Sequence, residues 1–439
     1  VRGVPADVVD ARLRAEADGA SVLAVGKVSA GVDEPYRYTG NIVLKAEDIT
    51  PFALLAGRMP PLLAGDAAVD LAMSLDGEGD TFQLRDIAGE VAGTRVRADV
   101  DGDLRRDIAD LLPKFTGSLA LSDLDMRFVS ELLLGADQWS SVSAGSPWPE
   151  GSFGAEFVDG IDVSLNLTAE KMTLGGGLSA DNASGRLRLK PGDLLIEADE
   201  AGFAGGKLAG SLSIKRSRGQ AAVNGSLRIA GADVSSLAWR RDGRPVATGA
   251  LDVNADFEGA GRSINGLVTS LSGGGTFKAA NGEIRGLNPD AFGLVIRAAD
   301  AGLDLEDGKI SEAFESHLDV GVLPYQAIDG SFVIAGGVAR IRNVSVDNRL
   351  AALFGNAQVD LAKETVSGDF SLKVDPGVNA VTGAEPQVGI VLEGPLYEPS
   401  RRVDIAPFTA FLTLRAFEQE VQRVEELQAE ILERDRLVR

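Results

Sequence analysis

Residues Gly202 to Leu208 read Gly-Phe-Ala-Gly-Gly-Lys-Leu, the stretch of this chain that comes nearest to a phosphate-binding loop. Such a loop cradles phosphate oxygens with backbone N–H groups, while a lysine and a following hydroxyl serve the terminal phosphates and magnesium. Here the first glycine is one residue too close, and Leu208 stands where the hydroxyl belongs, so the stretch reads as a turn between strands. His317 is the single histidine, between Ser316 and Leu318 in an expected strand, and there is no cysteine. One imidazole without thiolates cannot make a histidine-rich metal site, and no Gly-x-Ser-x-Gly nucleophile elbow occurs. The triplets Gly175–Gly177 and Gly273–Gly275 lack the tandem aspartates of a calcium repeat. The carboxylates are scattered through turns and polar faces, and nothing in the sequence singles out a pair for glycoside hydrolysis. The expectation is no catalytic residue, no metal, no cofactor and no enzyme.

Another set of residues does recur with a spacing. Gly40, Gly117 and Gly225 each open an alternating strand, and Asp48, Asp125 and Asp233 follow eight residues later. A short apolar turn comes next: Ile49 and Phe52, Met126 and Phe128, Val234 and Leu237. A strand ending in a capping carboxylate and a helical turn is a modular unit, of the kind that lengthens a sheet by repetition. The aspartates lie 77 and 108 residues apart, so the loops between units vary.

Composition fits such a sheet. With 439 residues, 44% apolar, 25% charged, 53 glycines and few aromatics, the chain is ordered and rich in short strands and tight turns. Its net charge of -22 argues against nucleic acid, a polyanion that calls for a basic footprint. The same charge disfavours adhesion to anionic lipid surfaces. No run of 18 apolar residues is present to span a membrane. The chain begins at Val1 without methionine or a signal-like region, and is read as a piece of a longer protein whose N-terminal targeting segment is missing.

Period-two alternation dominates, as in Ile161-Val163-Leu165-Leu167 against Asp162, Ser164, Asn166 and Thr168. Turn signals are read at Asp76-Gly77, Asp101-Gly102, Pro191-Gly192, Asn281-Gly282 and Asp307-Gly308. Thr50-Pro51 and Asn288-Pro289 mark two helix starts, for Phe52 to Leu55 and Ala291 to Ile296. From Pro407 to Arg439, Phe408, Phe411, Leu412, Phe417, Val421, Val424, Leu427 and Ile431 recur at helical steps. That tail is expected to be one amphipathic helix, packed by its stripe on the end of the sheet or held out for a partner. The chain divides into an N-terminal β-repeat region at 1–140, a linker at 141–151, a β-rich region at 152–406 and the tail helix at 407–439. The fold class is mainly β: an elongated, curled antiparallel sheet of repeated strands with short helices and a long C-terminal helix.

So many one-sided strands with so few helices either close on themselves as a core or leave an apolar groove. The residues that would line a groove for acyl chains are Leu165, Leu167, Leu187, Leu189, Leu212, Ile214, Leu227, Ile229, Val253 and Phe257.

Leu271-Ser-Gly-Gly-Gly-Thr-Phe-Lys, followed by Asn281-Gly-Glu-Ile-Arg-Gly-Leu-Asn288, resembles the C-terminal region of the AsmA family of bacterial envelope proteins. So does the close, with Gly394-Pro395, Pro399, Asp404 and Phe411-Leu-Thr-Leu-Arg-Ala-Phe-Glu418 ahead of the charged helix. The resemblance covers about residues 155 to 439, and the first 150 share it in style. It implies a periplasmic protein anchored at the inner membrane and related to bridge-like lipid transporters, with phospholipids as partners and a role in outer-membrane assembly or inter-membrane lipid transfer. It also implies membrane association through a segment absent from this chain, leaves envelope proteins as partners for the tail helix, and brings no catalytic motif. The alternative reading is a structural or adhesin-like β-repeat envelope protein with a closed core.

Overall fold

In a computed structural model, residues 8–17, 19–29, 35–48, 50, 68–105, 112–135, 139, 146–154 and 160–437 are described. The helical turn expected over Phe52 to Leu55 and residues 141–145 of the expected linker lie outside them. In chain order the first elements are strands β1 (Val9–Ala17), β2 (Ala20–Ser29), β3 (Arg37–Ala46), β4 (Val69–Glu78), β5 (Thr81–Val91), β6 (Thr94–Asp103) and β7 (Lys114–Asp125). Helix α1 (Met126–Leu134) precedes β8 (Asp162–Gly175), β9 (Leu178–Lys190), β10 (Asp193–Phe203), β11 (Gly206–Ser217) and β12 (Gln220–Asp233). Then come α2 (Val234–Leu237), the two-residue strands β13 (Arg240–Arg241) and β14 (Arg244–Pro245), β15 (Ala250–Gly261), α3 (Ile264–Ser270) and β16 (Ser272–Arg285). Helices α4 (Asp290–Asp300) and α5 (Asp307–Leu318) are followed by β17 (Val322–Ala335), β18 (Val338–Asp347), β19 (Ala352–Asp360) and β20 (Thr365–Lys373). Strands β21 (Gln387–Pro395) and β22 (Ser400–Asp404) lead into α6 (Ala406–Leu437). The chain is mainly β and mostly antiparallel, with a long C-terminal helix, as the alternation predicts.

Contacts divide it into two compact units, one of Val1–Ala230, Asn254–Gly273 and Ala335–Gly337, the other of Gly231–Val253, Gly274–Ile334 and Val338–Arg439. Neither limit falls at 141–151. In the first unit β7 pairs directly with β8, Gly117 opposite Leu165, so the strands on either side of that stretch share one sheet.

The first unit is a meander in which each strand from β1 to β12 pairs with the next. Every pair is antiparallel except β7–β8. Ala204-Gly205 and Arg218-Gly219 both have positive φ and make the two-residue turns that match the twist of flanking strands. The near-phosphate loop at Gly202 is therefore the β10–β11 hairpin. Register shifts mark bulges at Ala72/Ser74, Leu84/Ile87 and Ala198/Ala201, which bend and twist the strands.

The second unit contains the antiparallel run β18 to β22. Helices α4 and α5 and the start of α6 close over it. Phe292, Phe314, Phe408 and Phe411 meet with ring centroids 4.9 to 6.1 Å apart. The cross-strand row Val346, Leu353, Leu372 and Val388 lies beneath, 0 to 6% exposed. That is a dry core.

Four of the five turn signals have another meaning. Gly77 and Gly102 lie inside β4 and β6, where an added Cβ would come within 2.4 Å of the Tyr38 ring and 2.2 Å of the Phe82 ring. The glycines make room for rings on the neighbouring strand. Asn281 has φ +53 within β16, and Asp307-Gly308 opens α5. Only Pro191-Gly192 joins two strands. His317, expected in a strand, ends α5, whose apolar positions Ile310, Phe314 and Leu318 follow a helical step.

Candidate apolar binding face

Side chains of cross-strand partners project from the same face of a sheet, so the register alone builds a surface. From Ala11 on β1 the partners run Gly26, Gly40, Leu75, Leu84 and Val100 to β6. They continue through Gly117, Leu165, Leu187, Ile196 and Leu212 to Gly225 on β12. Twelve strands contribute, and none places a polar side chain in the row. At about 4.8 Å per strand the row is roughly 50 Å long.

A second row runs Ala98, Leu119, Leu167, Gly185, Ala198, Gly210 and Leu227. A third, on the other side of the first, runs Tyr38, Gly77, Phe82, Gly102, Phe115, Val163, Leu189, Leu194, Ile214 and Val223. The alternate row on the opposite face reads Asp10, Lys27, Thr39, Asp76, Gln83, Asp101, Thr116, Ser164 and Arg188. Ion pairs Lys45–Asp70 and Arg95–Glu170, each at 2.9 Å, lie on that polar side. The described hollows of the first unit, about 420 to 760 Å³, are shallow and include polar-side residues such as Arg85, Arg95, Asp101 and Glu170 among their lining.

Glycine in the first row has a steric cause. A Cβ on Gly117 would stand 1.9 Å from the Asp99 carbonyl oxygen of β6, and one on Gly225 would stand 2.4 Å from the Phe257 ring. Gly40 would meet the Val25 carbonyl oxygen at 2.6 Å. The capping half of the repeated unit is present too. Asp48 accepts from the Thr50 N–H at 2.8 Å, Asp125 from Arg127 at 2.8 Å and Asp233 from Ser235 at 2.9 Å. These bonds hold the Asp48 and Asp233 carboxyls below their usual pKa, the Thr50 and Ser235 side chains being the largest cause.

All but the last residue of the first row are half-buried, neither sealed like the second unit's core nor fully wet. Part of the face is covered. The β7–β8 crossover brings Val129, Leu134 and Phe153 onto Leu189 and Leu194, with Ile264 and Leu267 of α3. Arg216 anchors this cover, donating to the Gly154 carbonyl at 2.7 Å with its guanidinium 5.8 Å from the Phe153 ring centroid.

Of the candidates read from sequence, Leu165, Leu187 and Leu212 fall in the first row, Leu167 and Leu227 in the second, and Leu189 and Ile214 in the third. Leu189 is buried under the crossover, and Leu187 and Ile214, with Ile196 of the first row, pack against the same cluster. Ile229 pairs with Leu208 on the same face. Phe257 lies over Gly225, and Val253 precedes it on β15 with the same alternation. Sequence reading missed the β3–β7 contribution, although Leu75, Phe82, Leu84 and Val100 alternate as clearly as the residues it chose. Among the described residues no group of three or more His, Asp or Glu side chains could hold a metal ion. No helix among them is long and apolar enough to cross a membrane.

No curated protein and no solved structure matches the chain. A family comparison does: the sequence model of the AsmA family matches residues 91–342, more than half of the chain. The match starts earlier than the resemblance read by eye and stops before the tail helix. It takes in β6 to β12, where the three apolar rows run side by side, and on that match this chain belongs to the AsmA family.

Proposed function

We propose that this chain handles lipid in the bacterial envelope, with phospholipid acyl chains lying against the apolar face of β1 to β12. The observation that carries the reading is the first row: an unbroken line of Gly, Ala, Val, Leu and Ile across twelve strands, half-buried along nearly its whole length. Moving a sixteen-carbon chain into water costs on the order of 12 kcal/mol at about 0.8 kcal/mol per methylene. A one-sided apolar sheet removes most of that barrier, replacing membrane hydrocarbon with strand side chains while the headgroup stays wet. Such transfer is passive and calls for no nucleotide, metal or catalytic residue. Family membership supports a place in the envelope, and the role is outer-membrane assembly or inter-membrane lipid transfer from the periplasm.

The test is direct. Protein purified from a bacterial host is extracted with organic solvent, and a phospholipid carrying a photoreactive acyl chain is crosslinked to it. Phospholipid should be recovered, with crosslinks at Leu165 or Leu212. No lipid and no crosslink would favour the structural, adhesin-like reading.

A further inference from the structure

Helix α6 has a buried foot and a bare blade. Phe408, Phe411 and Leu412 sit in the second unit's core. Just beyond them, Arg415 donates to Asp300 at 3.0 and 3.3 Å, Gln419 donates to the same carboxylate at 3.3 Å, and Glu418 accepts from the Thr382 N–H at 3.3 Å. This clasp holds the helix where it leaves the core. The apolar stripe does not stop there. Phe417, Val421, Val424, Leu427 and Ile431 are 41 to 65% exposed, all within 60° of the Val424 direction at 100° per residue. The steps of four, three, three and four residues make a seam for another helix.

The border of that seam selects the occupant. Glu418, Glu425 and Glu430 flank it and Glu420 lies inside it, against Arg423, Arg434 and Arg436. Arg423 and Arg434 are already paired within the helix, with Glu420 at 2.7 Å and Glu430 at 2.8 Å. The rim is net negative on a chain of net charge -22. A second copy would bring the same carboxylates to the contact, and an anionic lipid surface would repel them. We propose that the exposed part of α6 docks an amphipathic helix of another protein whose apolar seam is bordered by lysine and arginine. The surface is independent of the lipid reading, since it lies on the closed unit and uses none of the sheet-face residues.

Two synthetic peptides with the same leucine seam, one bordered by lysine and the other by glutamate, would be titrated against the whole chain. The lysine peptide should bind at least tenfold more tightly, and more weakly as salt rises. The double variant Val424→Ser/Leu427→Ser should lose that binding with an unchanged melting curve, because both side chains are exposed. Equal binding of the two peptides, or binding of neither, would overturn the proposal. So would a wild-type dimer in sedimentation that the double variant abolishes, which would assign the seam to a second copy.

Discussion

Gly117 shows what one hydrogen atom in place of a methyl does in this sheet. Alanine there would push β7 from β6, since its Cβ would stand 1.9 Å from the Asp99 carbonyl oxygen. Gly117→Ala should therefore destabilise the chain by about 1 to 3 kcal/mol, the range for overpacking, read as a lower denaturation midpoint. Gly308 of α5 has open space where its Cβ would be, so Gly308→Ala should be neutral or stabilising by up to about 1 kcal/mol. Equal losses at both positions would contradict the steric account. The pair also marks how far the residue pattern can be read. Asp125 and Asp233 were legible as caps because a carboxylate two residues before an N–H is a local event. Gly77 was not, because a glycine under the Tyr38 ring and a glycine in a turn carry the same letter. His317 belongs to a helix whose signal is in the sequence, Ile310, Phe314 and Leu318 recurring at steps of four, and the strand expectation passed over it.

Helix α6 was legible as an element, from its three- and four-residue steps, though not in what it touches. The sequence leaves open a stripe that covers the sheet or one held out for a partner, and the molecule buries the stripe up to the Arg415 clasp and leaves it exposed beyond. Asp300 gives the clasp a pH signature. Its hydrogen bonds from Arg415 hold the carboxyl below the usual value. The folded state thus binds a proton less readily than the unfolded one. The stabilisation is complete above the ordinary carboxylate pKa and fades as pH falls through the lowered value. Asp300→Asn should melt earlier than wild type at neutral pH, and the gap should close only in acid. A gap that closed between about pH 8 and 6 would assign it to some other group. Strand β22 is held from another side: Arg401 donates to the Gly286 carbonyl at 2.7 Å and to Asp319 at 2.6 Å.

At the scale of the whole molecule, the two units handle their apolar faces in opposite ways, and a matched pair of substitutions separates them. Leu372, 0% exposed in the second unit, cannot accept a charge, so Leu372→Asp should unfold that unit at a cost of more than about 4 kcal/mol. Leu212, half-buried in the first row, should accept aspartate with a near-native melt and lose the photoreactive lipid crosslink. Unfolding by both would mean the first face is also a closed core. The parallel pair β7–β8 within the run β1 to β12 adds a rule of parity. In an unbroken antiparallel meander the odd-numbered strands all run one way and the even-numbered ones the other, so β12 would oppose β3 and β7. The crossover shifts the count by one. Strands β3, β7 and β12 therefore run in the same direction, and Asp48, Asp125 and Asp233 cap turns that leave strands pointing the same way. Sheets of this design can grow or shrink by whole hairpins and keep that orientation, whereas gain or loss of a single strand would turn every later cap around.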